Sequence, residues 1–158
     1  MPTQSNLAIA LRTAYLALHR RSEARFARQG VTADQFVLLA TLARGQTLTQ
    51  RELAHRMSSD PSTVRAMLVL LERRGLVARH LHPTDARART VALTPKGKKA
   101  FRQLWRAGEP IRERMLAALS SDEAETLMGL LARVAEALHS PRALTGGNAS
   151  VHSQGDDI

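Results

Sequence analysis

The chain contains no cysteine, which excludes disulfides, thiolate metal sites and thiol-based redox switching. Aromatic residues make up only 3 % of it, so a core has to be built from aliphatic side chains, chiefly leucine, alanine and valine. No apolar run is long enough to span a membrane and nothing resembles a signal peptide. A cytoplasmic protein without a membrane partner is therefore expected. A recognisable catalytic set is also missing: no nucleophile and base stand at a supporting spacing, and no phosphate-binding loop is present. The chain does not read as an enzyme, and no cofactor is expected. What is present, 158 residues of which 44 % are hydrophobic, suffices for one compact domain with an appended helical arm.

The net charge is +9, and its distribution is uneven. Residues 1–50 carry +4, residues 51–106 carry +9 and residues 107–158 carry −4. A basic middle third suggests a polyanionic partner, bound through phosphate attraction and counterion release, although a merely solvated basic surface has the same composition.

Boundary signals divide the chain clearly. Leu7, Leu11, Ala14 and Leu18 form the apolar seam of a first helix that stops at Gly30. Thr32 with Gln35 opens a second helix with Phe36, Leu39 and Ala40 inward, closed by Gly45. Thr49 with Glu52 opens a short third helix through Leu53, Ala54 and Met57. After the turn Ser58-Ser59-Asp60-Pro61, a fourth helix with Asp60 as N-cap presents Val64, Met67, Leu68 and Leu71 on one face and ends at Gly75. The period then becomes alternating: Val77 to His82 and Arg89 to Thr94 read as strands joined by the polar turn Pro83–Ala88. Thr94-Pro95 starts a long helix to about Leu119, with Gly108 and Pro110 as candidates to bend it. Ser120 with Glu123 opens a last helix whose apolar face carries Leu127, Leu130, Leu131, Val134 and Leu138. Beyond it, residues 141–158 read as a disordered tail.

The expected fold class is mainly α with a small β-hairpin wing: a winged helix-turn-helix domain plus a helical dimerisation domain. The basic segment coincides with the helix-turn-helix and the hairpin. In such a motif the start of the second helix meets base edges and phosphates. Ser62, Thr63, Arg65 and Ala66 lie there, off the core face; the hydroxyls suit phosphates and Arg65 suits guanine. Taken alone they are also ordinary first-turn surface residues. Asp85-Ala86-Arg87-Ala88-Arg89 places two arginines and a carboxylate at the hairpin tip, where a guanidinium can enter a minor groove. Asp85 is expected to accept hydrogen bonds from Arg89 or a nearby basic side chain and fix the loop.

At this point a family resemblance becomes specific. Leu48-Thr49-Gln50-Arg51-Glu52-Leu53-Ala54, Leu71-Glu72-Arg73-Arg74-Gly75-Leu76-Val77, and Asp85-x-Arg87 followed by Val91-x-Leu93-Thr94-Pro95-x-Gly97 resemble, in order, three motifs of the MarR family. The resemblance spans about residues 6–140. It implies a homodimer with intertwined terminal helices that binds pseudo-palindromic double-stranded DNA, commonly as a repressor released by a small molecule. Carried over, DNA contacts fall on Ser62, Thr63, Arg65, Ala66, Arg73, Asp85, Arg87 and Arg89. The implied division is residues 1–30 and 95–140 for dimerisation and 31–94 for DNA binding. Departures are Ala86, where the family often has a basic residue, and Val69 and Leu70, where many members are polar.

An effector site between the first helix and the winged domain would use Tyr15, His19 and Arg20, whose residue types suit an aromatic carboxylate. These are equally the surface residues of an amphipathic helix. His80-x-His82 puts two imidazoles on one strand face without an evident third ligand, so no metal site is expected. Alternatives are a regulator without an effector, a metal sensor, and a winged helix used only for protein contacts.

Overall fold

The computed structural model of the protein describes residues 2–45 and 47–139. The segment 141–158, expected to be disordered, lies outside the described residues. The elements run α1 (Pro2–Phe26), a 3-10 turn (Ala27–Gln29), α2 (Ala33–Leu42), β1 (Leu48–Thr49), α3 (Gln50–Arg56), α4 (Pro61–Arg73), β2 (Val77–Leu81), β3 (Arg89–Leu93), α5 (Pro95–Ala107), α6 (Glu109–Ala117) and α7 (Ser121–His139). Two compact units are present, one ending at Glu113 and one beginning at Arg114.

Side-chain caps set the helix starts. Thr32 and Gln35 exchange hydrogen bonds of 3.1 Å with each other's backbone amides, and Thr49 and Glu52 do the same at 3.1 and 2.8 Å. The Thr63 amide donates to Asp60 at 3.1 Å, with Pro61 at the first helical position where its missing N–H costs nothing. Thr94 receives the Gly97 amide at 2.9 Å, and Ser120 is boxed with Glu123. Gly30 and Gly75 stop their helices with φ of +67° and +71°.

A three-stranded antiparallel sheet has the order β1-β3-β2, with Leu48 opposite Val91 and Val77 opposite Leu93. Its inner face and α2 to α5 enclose Leu38, Leu39, Leu53, Val64, Leu68, Leu71, Val77, Val91 and Leu104, all essentially fully buried. The face expected for α4 is the one observed: Val64, Met67, Leu68 and Leu71 are its buried residues.

Several expectations need correcting. On α2 the buried residues include Leu38 and Leu42, while Ala40 is only half-buried. The long helix to Leu119 is two helices, broken at Gly108. Pro110 has no N–H to continue the ladder and sits instead in the first turn of α6. β1 was not anticipated, because a two-residue strand has no period to read. Finally, the core is not purely aliphatic. Phe26 is buried in it, Phe36 and Phe101 pack against it in a stacked row with centroid separations of 4.4 and 5.9 Å, and the exposed Trp105 follows, tilted, at 6.0 Å, linking α1, α2 and α5.

Candidate nucleic-acid interface

The start of α4 is presented outward. With Val64, Met67 and Leu68 turned into the core, Ser62, Thr63, Arg65 and Ala66 are all exposed. Arg65 is free to extend from the helix surface. Thr63 is more constrained, because its hydroxyl donates to Asp60 Oδ2 at 3.3 Å and serves the cap. Arg73 is exposed at the other end of α4, about 12 Å from Arg65 along the helix axis. Val69 is half-buried, whereas Leu70 is exposed.

The wing is held by its own side chains. Asp85 Oδ1 accepts the Arg87 amide at 3.0 Å, and the Ala88 amide donates to the Asp85 carbonyl at 3.1 Å. The partner expected for Asp85 was Arg89 or another nearby basic side chain; Arg89 instead reaches the Ala86 and Ala88 carbonyls at 3.4 and 3.5 Å. An aspartate two residues from an amide closes a local turn with little loss of freedom, whereas an arginine ion pair must order a long side chain. Arg87 is thereby left exposed at the tip.

Between α4 and the wing lies a cleft of about 770 Å³, lined by Thr49, Gln50, Arg51, Arg65 and the wing residues Asp85 to Arg89. Four arginines, Arg51, Arg65, Arg87 and Arg89, line it with a single acidic residue, Asp85, whose carboxylate is bonded into the turn. A concave surface lined by one sign of charge focuses its field on a polyanion. Arg51 was missed as a site residue in the sequence. Its place depends on β1, whose pairing of Leu48 and Thr49 with Val91 and Thr90 sets the start of α3 beside the wing. At that start, the Thr49 amide and hydroxyl hold the Glu52 carboxyl below the usual carboxylate range, with Arg56 and His82 adding to the effect.

The effector candidates lie on α1. Tyr15 stacks on His19 at 5.6 Å, and His19 Nε2 is 3.9 Å from Glu23, whose Oε1 also accepts the Ala33 amide. Arg20 is exposed. A separate cavity of about 450 Å³ lies between α2 and α5, with Ala40, Ala43, Phe101 and Trp105 as apolar walls and Arg44, Arg102 and Arg106 among its lining. Tyr15, His19 and Arg20 are not part of that lining. Among the described residues, no three His, Cys, Asp or Glu side chains gather as a metal site, and no helix is long and apolar enough to cross a membrane.

Three helices, a helix-turn-helix and a basic hairpin around one cationic cleft define a winged helix-turn-helix DNA-binding protein. The sequence pattern of the MarR family matches residues 31–88. Over 107 residues the chain is 32 % identical to the transcriptional regulator HosA of Escherichia coli O111:H-, covering 68 % of this chain and 79 % of HosA. It is also 29 % identical over 133 residues to the HTH-type transcriptional repressor MdtR of Bacillus subtilis (strain 168), covering 84 % and 86 % of the two chains. A mutant MarR from E. coli complexed with operator DNA superposes with a TM-score of 0.73 at 27 % identity, covering 82 % of this chain and 93 % of that one. NadR in complex with 4-hydroxyphenylacetate gives a TM-score of 0.75 at 25 % identity, covering 82 % and 92 %. The chain belongs to the MarR family: it is a DNA-binding transcription regulator and not an enzyme.

Proposed function

We propose that this regulator is a cytoplasmic homodimeric repressor that reads a pseudo-palindromic operator with Ser62, Thr63, Arg65 and Ala66 in the major groove and Arg87 in the minor groove. Arg73, Asp85 and Arg89 complete the DNA-facing set. The carrying observation is the cleft between α4 and the wing, where Arg51, Arg65, Arg87 and Arg89 converge. Residues 31–94 form the DNA-binding part, and residues 1–30 and 95–140 hold the dimer. Exposed apolar side chains on both terminal helices support a second copy: Leu7 and Ile9 on α1 are 56 % and 61 % exposed, and α7 buries none of its residues.

Binding assays on the operator selected from a random-sequence pool test the roles. Arg65→Ala is expected to cost roughly 1–3 kcal/mol per half-site and to relax base preference. Arg87→Ala is expected to weaken all sequences, most strongly those with A·T-rich flanks, because it responds to groove width. Equal losses on specific and random DNA for Arg65→Ala would contradict the assignment.

The effector of this reading is a small aromatic carboxylate that favours a dimer mismatched to the operator. Tyr15, His19 and Arg20 are its first candidate seat. A second seat is favoured by one observation, the apolar cavity between α2 and α5 with three arginines in its lining. The chain's only tryptophan, Trp105, lines that cavity. Titration with 4-hydroxyphenylacetate therefore separates the seats: quenching of Trp105, lost in Arg102→Ala, marks the cavity. Binding lost in His19→Ala or Arg20→Ala marks α1. No binding to either would remove this effector class and leave DNA binding untouched.

A further inference from the structure

We propose that His82 is the positioning residue of the wing: its neutral imidazole caps the hairpin loop and thereby sets where Arg87 stands. The inference rests on the reading of the wing as a DNA contact. It begins with two amides. Thr84 and Asp85 each donate a backbone N–H to His82 Nδ1 at 3.2 Å, and the Thr84 hydroxyl lies 3.3 Å from the same nitrogen. Pro83 stands between, with no N–H of its own, so Thr84 and Asp85 supply the first amides of the loop. A residue before proline is held extended, which keeps His82 in line with β2, the strand that ends just before it at Leu81.

From there the bonds continue along the loop. The His82 amide donates to Ala88 O at 3.2 Å and closes the hairpin. Asp85, placed by His82, accepts the Arg87 amide at 3.0 Å. Imidazole nitrogen, loop amides, aspartate and Arg87 thus form one chain of bonds ending at the residue assigned to the minor groove. The arrangement needs Nδ1 to be an acceptor, so the proton of neutral His82 sits on Nε2. An imidazolium has two donors and no acceptor, and would release both amides.

The charged surroundings are mixed. Glu52 on α3 lies within electrostatic reach of His82. Asp85 and Arg87 belong to the loop itself, Arg89 starts the paired strand opposite Leu81, and His80 lies two residues back on β2. Acid therefore does two opposing things. It adds positive charge near DNA, and it removes the cap from the loop. Affinity measured against pH in the parent protein mixes the two effects, and substitution separates them.

Asparagine carries an acceptor oxygen at the position of Nδ1, one atom beyond Cγ. Glutamine carries its acceptor one atom further out. With the full-length protein, His82→Asn is expected to keep operator affinity within about twofold, while His82→Ala and His82→Gln weaken it about three- to tenfold, the worth of one or two neutral hydrogen bonds. Hydrogen exchange of the Thr84 and Asp85 amides is measured without DNA at about pH 8 and about pH 5.5. Protection should fall with acid in the parent, persist in the Asn variant and be absent in the Ala and Gln variants. Nitrogen NMR should place the His82 proton on Nε2 at the higher pH. Identical behaviour of the Asn and Gln variants, or a proton on Nδ1, would overturn the proposal. If Arg87→Ala leaves affinity unchanged while the amides still respond to His82, the wing's DNA contact is refuted and the cap is upheld.

Discussion

A Cβ built on Gly97 would lie 1.9 Å from the carbonyl oxygen of Leu76, a backbone atom with no freedom to swing aside. The same junction is tied three more ways: Thr94 donates its hydroxyl to Gly75 O at 2.5 Å, gives its amide to Leu76 O at 3.1 Å and accepts from Gly97 N at 2.9 Å. Glycine is needed here because the first turn of α5 packs directly on the chain entering β2. Gly97→Ala is expected to destabilise by about 1–3 kcal/mol, as forced overpacking does, visible as a lower urea midpoint with an unchanged slope. In the sequence this residue was visible only as part of a resemblance, since nothing local to Thr94-Pro95-Lys96-Gly97 says that Leu76 lies against it. Residues whose role is set by their own neighbours were legible: Thr32, Thr49, Asp60 and Ser120 all cap as their spacing indicates. Asp85 was half legible. Its role in fixing the loop could be read, whereas its partner is an amide two residues away and not Arg89.

Between elements, one side chain joins the end of α4 to the end of the first helical segment. Arg74 donates from Nη1 to Gly30 O at 2.6 Å and from Nη2 to Gln29 O at 3.0 Å, while its own carbonyl accepts Lys96 Nζ at 2.9 Å. The guanidinium meets carbonyls at a helix end, where the backbone dipole favours positive charge. Because Arg74 is exposed, the contribution is modest. Arg74→Met keeps the apolar stem and is expected to cost about 1 kcal/mol of stability in a denaturant titration. A cost near zero would mean that the link is not formed in solution. Helix faces at this scale followed from period, as α4 shows, but contacts between elements did not. The row from Phe26 through Phe36 and Phe101 to Trp105 draws on three helices, and no periodicity within one helix can announce it. β1 was hidden for a related reason: its two residues pair with β3, more than forty positions along.

At the scale of the molecule, charge and shape coincide. Residues 51–106 carry +9, and within that stretch α4 and the wing bound the cationic cleft. Phosphate binding accounts for affinity to any duplex, whereas in the proposed dimer two recognition helices related by its axis would favour a palindrome. The most direct test is therefore geometric. Two half-sites about one helical turn apart, roughly 34–36 Å between centres, should be bound together by one dimer. An insertion of about half a turn, near 5 bp, turns the second half-site to the opposite face of the duplex. Anisotropy titrations of the parent and inserted operators at fixed salt decide the matter. Affinity for the inserted operator should fall to that of a single half-site, and unaltered affinity would contradict the two-fold reading of DNA by paired α4 helices.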